Sequence, residues 1–168
     1  MHNAIRIACS LLGLATGASA VELTLLSHAL PEASYTGHKT APLAFDGQMK
    51  TAFSPGPVFP TWVMVDLGAE RRVIKTMTFL EKSDTWYAYR IEVSVDGRSW
   101  APFADQGGNR EASEDPAYTD MGGATARYVK LTITDAPHRD KNPPWFWPVV
   151  REFQVYGVAV EAAAGAAR

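Results

Sequence analysis

The middle of the chain alternates between hydrophobic and polar residues with a period of two, the spacing of a strand with one buried face. Residues 62–67 (WVMVDL) separate their aliphatic side chains from the others: Val63, Val65 and Leu67 on one face, and Trp62, Met64 and Asp66 on the other. This segment predicts a strand, and we expect Gly68 to end it because glycine breaks strands.

Four later segments also predict strands: 73–80 (VIKTMTFL), 89–95 (YRIEVSV), 127–134 (RYVKLTIT) and 152–156 (EFQVY). The second of them places Ile91, Val93 and Val95 on one face, and Asp96-Gly97 then predicts a hairpin turn because glycine accepts positive φ. Short strands without a convincing helical segment predict an all-β antiparallel sandwich. Segments 27–61 and 101–126 are predicted loops, and long loops in compact domains usually carry function.

The two ends of the chain differ from this body. Residues 1–20 combine Arg6, an apolar stretch and Ala18-Ser19-Ala20, which predicts a signal peptide and a secreted or periplasmic protein; a core helix is the alternative. Residues 158–168 are rich in alanine and predict a flexible tail or the stub of a linker, with a short closing helix as the alternative. The predicted domain spans residues 21–157.

Composition and charge exclude several classes of protein. A hydrophobic fraction of 46% and a charged fraction of 20% are ordinary for a globular domain. The single cysteine, Cys9, lies in the predicted signal peptide, so we expect neither a disulfide nor thiol chemistry in the mature chain. Removing Arg6 changes the net charge from −2 to −3, and the sequence has no basic cluster. Nucleic acid and anionic membranes are therefore not the expected partners.

Five motifs occur along the chain in this order: AFDGQMKTAF, WVMVDLG, YRIEVSVDGRSW, ARYVKLTI and REFQVYG. Together they resemble the discoidin, or coagulation factor V/VIII type C, domain family, whose bacterial relatives include the family 32 carbohydrate-binding modules. The resemblance covers residues 25–157. It implies a galactose-binding-like jelly roll of eight antiparallel strands, with ligand-binding loops at one end of the sandwich.

The resemblance also implies a structural calcium ion. Calcium binds six to eight oxygen atoms from carboxylates, carbonyls and hydroxyls. By comparison with the family, the side chains would come from Asp46, Thr51 and Glu152, and the backbone carbonyls from around Leu43, Gln48 and Arg151. Gln48 departs from the usual asparagine, which matters little if only its carbonyl binds. The alternative is that Asp46-Gly47 is only a turn and that Glu152 is a surface charge.

The galactose-binding pattern of the family is not preserved in this chain. Phe53 and Ser54 stand where the family has tryptophan and histidine, and the segment 81–87 lacks the usual arginine with an asparagine five residues later. A galactose pocket of that form is not expected, although the same end could bind another glycan. Candidate ligand-binding residues in three loops are Glu81, Lys82, Trp86, Tyr87, Asn109, Arg110, His138, Arg139, Trp145 and Phe146.

The aromatic residues divide into a structural and a candidate ligand-binding group. Trp62 and Trp100 occupy core positions of the family pattern, so burial is predicted for both, and Trp147 is predicted to pack before the last strand. Trp145 and Phe146 follow two prolines, which stiffen the backbone, and are predicted to form a platform. Trp86 and Tyr87 either bind ligand or cover the edge of the sandwich.

No set of residues in the sequence suggests catalysis, and an enzyme is not expected. His28 and His38 lack the i, i+4 spacing of a helical metal site. The expected function is a secreted, non-catalytic module that binds a glycan through its loops and holds a structural Ca²⁺. The alternative is a protein-interaction or cell-surface adhesion module that uses the same loops. Membrane insertion is not expected because the net charge is negative.

Overall fold

A computed structural model of the chain describes residues 22–27, 30–33, 35–54, 59–81, 85–112, 117–137 and 148–159. Seven strands occur among these residues, and all of their pairings are antiparallel: β1 (Thr24–Leu25), β2 (Leu30–Ala33), β3 (Thr61–Leu80), β4 (Ala88–Ser94), β5 (Ala101–Asp105), β6 (Ala117–Asp135) and β7 (Val150–Ala159). The prediction of an all-β antiparallel sandwich is confirmed. In the part of the chain that is described, no helix is long and apolar enough to span a bilayer.

The two longest strands, β3 and β6, each contribute to both layers of the sandwich. Residues 61–66 of β3 pair with β2 and with residues 128–133 of β6, and β4 and β5 extend this first layer. Residues 71–80 of β3 pair with residues 117–126 of β6 and with β7, and β1 completes this second layer. The layers therefore share two strands that bend from one to the other.

Contacts between Tyr89 and the start of β6 show that the layers face each other. The ring of Tyr89, in β4, meets the ring of Tyr118 edge-on with 5.5 Å between their centroids. The Tyr89 hydroxyl donates a 2.8 Å hydrogen bond to Oδ2 of Asp120. Because β4 pairs with residues 128–135 of β6 and not with the earlier part of that strand, these contacts cross the space between the layers.

The bend of β3 lies at Gly68, which the sequence predicted to end the strand. That prediction is wrong: the strand continues to Leu80, but its register shifts between Asp66 and Arg71. Gly68 has a φ of 76°, and its N–H donates to Oδ1 of Asp66 at 2.8 Å. A residue with a side chain would be strained at this φ, so glycine supports the bend rather than a chain end.

The core consists of the aliphatic faces that the alternation predicted. Val63, Val65 and Leu67 are buried while Trp62 and Met64 are half-buried on the outer face. The prediction that Trp62 is buried is wrong, because the strand places its side chain on the face of the sheet that points away from the core. Other buried core residues include Val73, Leu80, Tyr89, Ile91, Val93, Val129, Leu131, Ile133, Phe153 and Val155.

Three further predictions need correction. Val95 is 45% exposed and does not share the buried face of Ile91 and Val93, because β4 ends at Ser94 and the chain turns there. Trp100 is only half-buried, since it lies just before β5. The segment 27–61 is not purely loop, because it contains β2 and a 3₁₀ helix over Tyr35–Ala44.

The strand ends bring the long connections to one end of the sandwich. Leu80 pairs with Val150 and Phe79 with Ala117 in the second layer, and Ala88 pairs with Asp135 in the first. The described connecting residues at this end are 45–54, 59–60, 81, 85–87, 106–112, 136–137 and 148–149. We call these residues, together with the strand ends that they join, the loop end. The hairpin 95–99 and the bend 67–70 form the opposite, turn end.

Candidate functional site

Three loop-end residues form a compact aromatic and ionic cluster. The guanidinium carbon of Arg110 lies 4.4 Å from the centroid of the Trp86 ring, within the range of a cation–π contact. Nη2 of Arg110 also donates to Oδ2 of Asp135 at 3.0 Å. Trp86 and Arg110 come from two different connections and Asp135 is the last residue of β6, and we call this group the loop-end triad. It combines an aromatic ring with one positive and one negative charge that pair with each other.

The backbone around Arg110 is held by a series of local hydrogen bonds. The Gln106 N–H donates to the Tyr89 carbonyl at 2.9 Å, and the Asn109 N–H donates to the Gln106 carbonyl at 3.0 Å. The Asn109 side chain donates to the Tyr87 carbonyl at 3.0 Å and accepts from the Glu111 N–H at 3.1 Å. Asn109 was predicted to bind ligand, but its side chain joins two connections and shapes the loop that carries Arg110.

A buried carboxylate lies beneath this loop. Asp120 is 7% exposed, and it accepts from the Tyr89 hydroxyl at 2.8 Å and from Nε2 of Gln106 at 3.1 Å. Burial, together with the nearby Asp120 charge, raises the pKa of Tyr89 far above its ordinary value, so this phenol stays protonated as a donor. The carboxylate therefore connects the beginning of strand β6 to the start of the loop that carries Arg110.

The sequence did not single out Asp135, Gln106 or Asp120. Asp135 directly follows the predicted strand 127–134, and a charged residue at a strand end is a signal for the loop end. Asp120 lies within the segment 101–126, which was predicted as loop although residues 117–126 belong to β6. The burial of Asp120 depends on the packing of the two layers, which the local sequence does not show.

The other candidate ligand residues are dispersed or lie outside the described residues. Tyr87 is fully buried, so its side chain packs in the core and has a structural role, which was the alternative to ligand binding. Glu81 is exposed and accepts from Nη2 of Arg151 at 3.1 Å. Lying outside the described residues are Lys82, His138, Arg139, Trp145, Phe146 and also Trp147.

A similar group of side chains occurs on the outer face of the first layer. Nζ of Lys130 lies 3.9 Å from the centroid of the Trp100 ring and 3.1 Å from Oε2 of Glu92. Glu92 and Lys130 are directly opposite each other on β4 and β6. We call Trp100, Lys130 and Glu92 the sheet-face triad. Their association follows from the pairing of two strands, because opposite residues of an antiparallel pair have neighbouring side chains.

A second loop-end cluster is made of oxygen atoms. Oδ1 of Asp46 accepts from the Gln48 N–H at 2.9 Å, and Oδ2 accepts from the Thr51 hydroxyl at 2.8 Å. The Thr51 hydroxyl also lies 2.8 Å from the Gln48 carbonyl. The sequence predicted that these three residues act together, and the structure brings them within one tight turn. Leu43, also predicted to contribute a carbonyl, is half-buried in the last turn of the 3₁₀ helix.

Glu152 completes this cluster from β7. It is 2% exposed, which contradicts the alternative of a surface charge, and both of its oxygens accept from the Gly47 N–H, at 3.3 and 3.2 Å. Burial, opposed by the hydrogen bond from the Gly47 N–H and assisted by the charge of Asp46, raises the pKa of Glu152 to about 7. Two carboxylates thus lie close together with little compensating positive charge from the hydrogen bonds described.

Arg151 attaches the oxygen cluster to a neighbouring connection. The register shifts between the pairs Phe79–Glu152 and Leu80–Val150, so Arg151 is the extra residue of a β-bulge. Its Nη1 donates to the Met49 carbonyl at 2.9 Å. The bulge leaves Arg151 without a directly opposite residue on β3, and the use of its carbonyl by a cation stays a prediction.

These residues fit a hard divalent cation. Among the described residues, no group of three or more histidine, cysteine, aspartate and glutamate side chains could hold a metal. A cation here would therefore need the Thr51 hydroxyl and backbone carbonyls beside the carboxylates of Asp46 and Glu152. Such an all-oxygen set suits Ca²⁺, and its charge would offset the repulsion between the two carboxylates.

Comparisons with known proteins agree with this geometry at the level of the fold. Among curated protein sequences, none matches this chain. The module CpGH89CBM32-6 from Clostridium perfringens, a family 32 carbohydrate-binding module, has 21% identity and a TM-score of 0.61, over 76% of this chain and 93% of its own. Chitosan-binding module 1, derived from a chitosanase/glucanase of Paenibacillus sp. IK-5, has 24% identity and a TM-score of 0.64, over 79% and 97%.

A third solved structure is CpGH89CBM32-4 from Clostridium perfringens in complex with GlcNAc-α-1,4-galactose. It has 14% identity and a TM-score of 0.64, over 79% of this chain and 92% of its own. The model of the F5/8 type C domain matches residues 27–153, which is well over half of the chain. The chain therefore belongs to the F5/8 type C domain family.

Proposed function

We propose that this domain is an exported, non-catalytic carbohydrate-binding module that holds a glycan at the loop end. The observation that carries the proposal is the loop-end triad, in which Arg110 stacks on Trp86 and pairs with Asp135. Sugars are bound by an aromatic surface against their C–H groups together with polar side chains at their hydroxyls. The triad places an aromatic ring beside a guanidinium and a carboxylate.

The solved structures support a glycan as the ligand class. One of the similar modules is described as chitosan-binding, and another was solved with GlcNAc-α-1,4-galactose bound. A galactose pocket of the family form remains unexpected, because Phe53 is fully buried and pairs with Val150 at the base of the loops. The glycan of this domain would instead be recognised by residues around Trp86.

The proposal includes a structural Ca²⁺ between Asp46 and Glu152. It would bind both carboxylates, the Thr51 hydroxyl and nearby carbonyls, and would fix the loop 45–54 to β7. At a hundredfold excess over its dissociation constant, such an ion would stabilise the fold by about 2.7 kcal/mol. This corresponds to a rise in Tm of roughly 10 °C for a domain of this size. Thermal melting with Ca²⁺ and with chelator tests it, and equal Tm values would contradict it.

The glycan proposal is tested by a glycan array in the presence of Ca²⁺, followed by titration calorimetry. We expect weak binding, with Kd on the order of 1 mM for one or two sugar units, because one aromatic ring and one ion pair offer few contacts. Incubation with the bound oligosaccharide should release no product if the domain is non-catalytic. An array without signal at high protein concentration, from a folded sample, would contradict glycan binding and favour the alternative of a protein partner.

A further inference from the structure

We propose that Asp120 and Gln106 are positioning residues of the glycan site. This inference rests on the proposed function and adds to it a support from inside the sandwich. The carboxylate of Asp120 fixes the turn 106–109 through its hydrogen bond with Gln106. The carbonyls of that turn in their place hold the guanidinium of Arg110 over the ring of Trp86.

Gln106 is the residue that joins this turn to β4 and β6. Its N–H donates to the Tyr89 carbonyl at 2.9 Å, and its own carbonyl accepts from the Asn109 N–H at 3.0 Å and from the Tyr89 N–H at 3.4 Å. Its side-chain Nε2 donates to Oδ1 of Asp120 at 3.1 Å. A shift of Gln106 therefore alters the bond that closes the turn at Asn109.

The turn determines the orientation of the Arg110 guanidinium. Nη1 of Arg110 donates to the Asn109 carbonyl at 2.6 Å and to the Gly107 carbonyl at 3.2 Å. The Gly107 N–H donates to Oδ1 of Asp105, the last residue of β5, at 2.9 Å. Because a guanidinium is planar and stacks on an aromatic face, its contact with Trp86 depends on the direction in which these carbonyls hold it.

The burial of Asp120 makes its hydrogen bonds costly to lose. Asp120 is 7% exposed, and its Oδ2 accepts from the hydroxyl of the buried Tyr89 at 2.8 Å, while Oδ1 accepts from Gln106. Hydrogen bonds to a charged group are roughly twice as strong as those between neutral groups, and a buried acceptor that loses its donor is destabilising. The interior thus preorganises the loop, which lowers the ordering cost of binding a ligand.

Two nearly isosteric substitutions reverse the direction of this hydrogen bond. Gln106→Glu replaces the donating amide with a second carboxylate, which repels that of Asp120. When Asp120→Asn is added, the new amide can donate to the carboxylate at position 106, and its oxygen can still accept from the Tyr89 hydroxyl. The double variant therefore restores the bond at the total charge of the wild type. Gln106 is exposed, so we expect the single variant to fold, and thermal melting checks this.

The first measurement is NMR of the labelled full chain without any sugar. Protons that lie over an aromatic ring are shifted upfield, so the side-chain signals of Arg110 report its contact with Trp86. We expect Gln106→Glu to remove this upfield shift and the double variant to restore it. The side chain of Lys130 lies over Trp100 at 3.9 Å, and its signals should stay in place in both variants.

The second measurement is calorimetric titration with GlcNAc-α-1,4-galactose, chitosan oligosaccharides and the glycans that the array identifies. For those that bind the wild type, we expect Gln106→Glu to weaken binding about tenfold and the double variant to bind within about twofold of the wild type. Gln154→Glu is the matched control. Oε1 of Gln154 accepts from the Tyr156 hydroxyl at 2.7 Å on β7, as a carboxylate would, so neither the Kd nor the Arg110 signals should change.

Arg110 signals that are equal in the wild type and in Gln106→Glu would overturn the inference, because the contact with Asp135 would then suffice to orient the guanidinium. An unchanged Kd despite altered Arg110 signals would also overturn it, and so would a loss of affinity that the double variant does not restore. If the signals respond as expected but the wild type binds no sugar, the proposed function fails while the positioning of Arg110 stands. The two failures are therefore distinguishable.

Discussion

The two tryptophan-centred triads have the same chemistry but different structural origins. In the sheet-face triad, Lys130 lies over Trp100 and pairs with Glu92, and the cation and the carboxylate are opposite each other in a strand pair. In the loop-end triad, Arg110 lies over Trp86 and pairs with Asp135, and strand register does not position Arg110 because it comes from the connection after β5. A cluster that the fold does not impose needs another reason, and ligand binding supplies one.

The two triads also differ in how far their charges are exposed. The side chain of Lys130 is 19% exposed, whereas that of Arg110 is 50% exposed. Lys130 thus covers one face of Trp100 and serves packing, because a long basic side chain can bury its stem along an aromatic ring. Arg110 remains open to solvent on its outer edge, as a ligand-contacting residue must.

The first and largest predicted effect concerns the oxygen cluster, which lies at the loop end and has no counterpart in the sheet-face triad. In Ca²⁺, Glu152→Gln should lower the Tm by roughly 10 °C because the variant cannot retain the ion. In chelator, the same variant should be as stable as the wild type or more stable, because it removes a buried and poorly compensated charge. Differential scanning calorimetry measures both conditions, with Glu92→Gln as a control that should keep the wild-type rise in Tm on addition of Ca²⁺.

A Tm of Glu152→Gln that falls equally in Ca²⁺ and in chelator would contradict this account. Glu152 would then stabilise the fold through its bonds to the Gly47 N–H, and no cation would be needed to explain its burial.

The second prediction compares alanine substitutions of the two tryptophans. Trp86→Ala should weaken binding of a neutral oligosaccharide by about 30-fold, the value for loss of about 2 kcal/mol at a central contact. Trp100→Ala should leave the Kd unchanged and lower the Tm instead, because its ring supports packing under Lys130. Calorimetric titration and thermal melting of both variants separate the two roles, and equal effects on the Kd would erase the distinction between the triads.

The third and smallest predicted effect concerns the contact between Arg151 and Glu81. This ion pair is 3.1 Å long and its side chains are 29% and 42% exposed, so solvent screens it. We expect Glu81→Gln to destabilise the domain by less than about 1 kcal/mol. A matched Glu70→Gln change at the turn end should have no effect on urea unfolding, and a larger loss in Glu81→Gln would indicate that the two loop-end clusters are energetically coupled.

The sequence predicted the strands better than the ends of the sandwich. Alternation placed Val63, Val65 and Leu67 on the buried face because side chains alternate along any strand. The same rule put Trp62 on the outer face, so the family comparison that predicted its burial conflicted with the local pattern, and the local pattern was correct. The prediction that Gly68 ends the strand failed for a different reason, because a glycine with positive φ can bend a strand as well as end it.

The candidate site was only partly predictable. Trp86 and Arg110 were both singled out as polar and aromatic loop residues, but nothing in the sequence links them across 24 positions. Asp135 and Asp120 lie near the two ends of β6, so the path of this strand through both layers brings them to the same site. Sheet register could have predicted the pairing of Glu92 with Lys130, whereas loop contacts depend on tertiary packing that no local period encodes.

The most direct test of glycan binding at the loop-end triad is an NMR titration of the ¹⁵N-labelled domain with a neutral oligosaccharide that binds it. The indole N–H signals of Trp86, Trp100 and Trp62 report the loop end, the sheet-face triad and the start of β3 on the outer face of the first layer. The account predicts that the Trp86 signal shifts with saturation while the signals of Trp100 and Trp62 stay in place. A saturating shift at Trp100 or Trp62 with no change at Trp86 would contradict it.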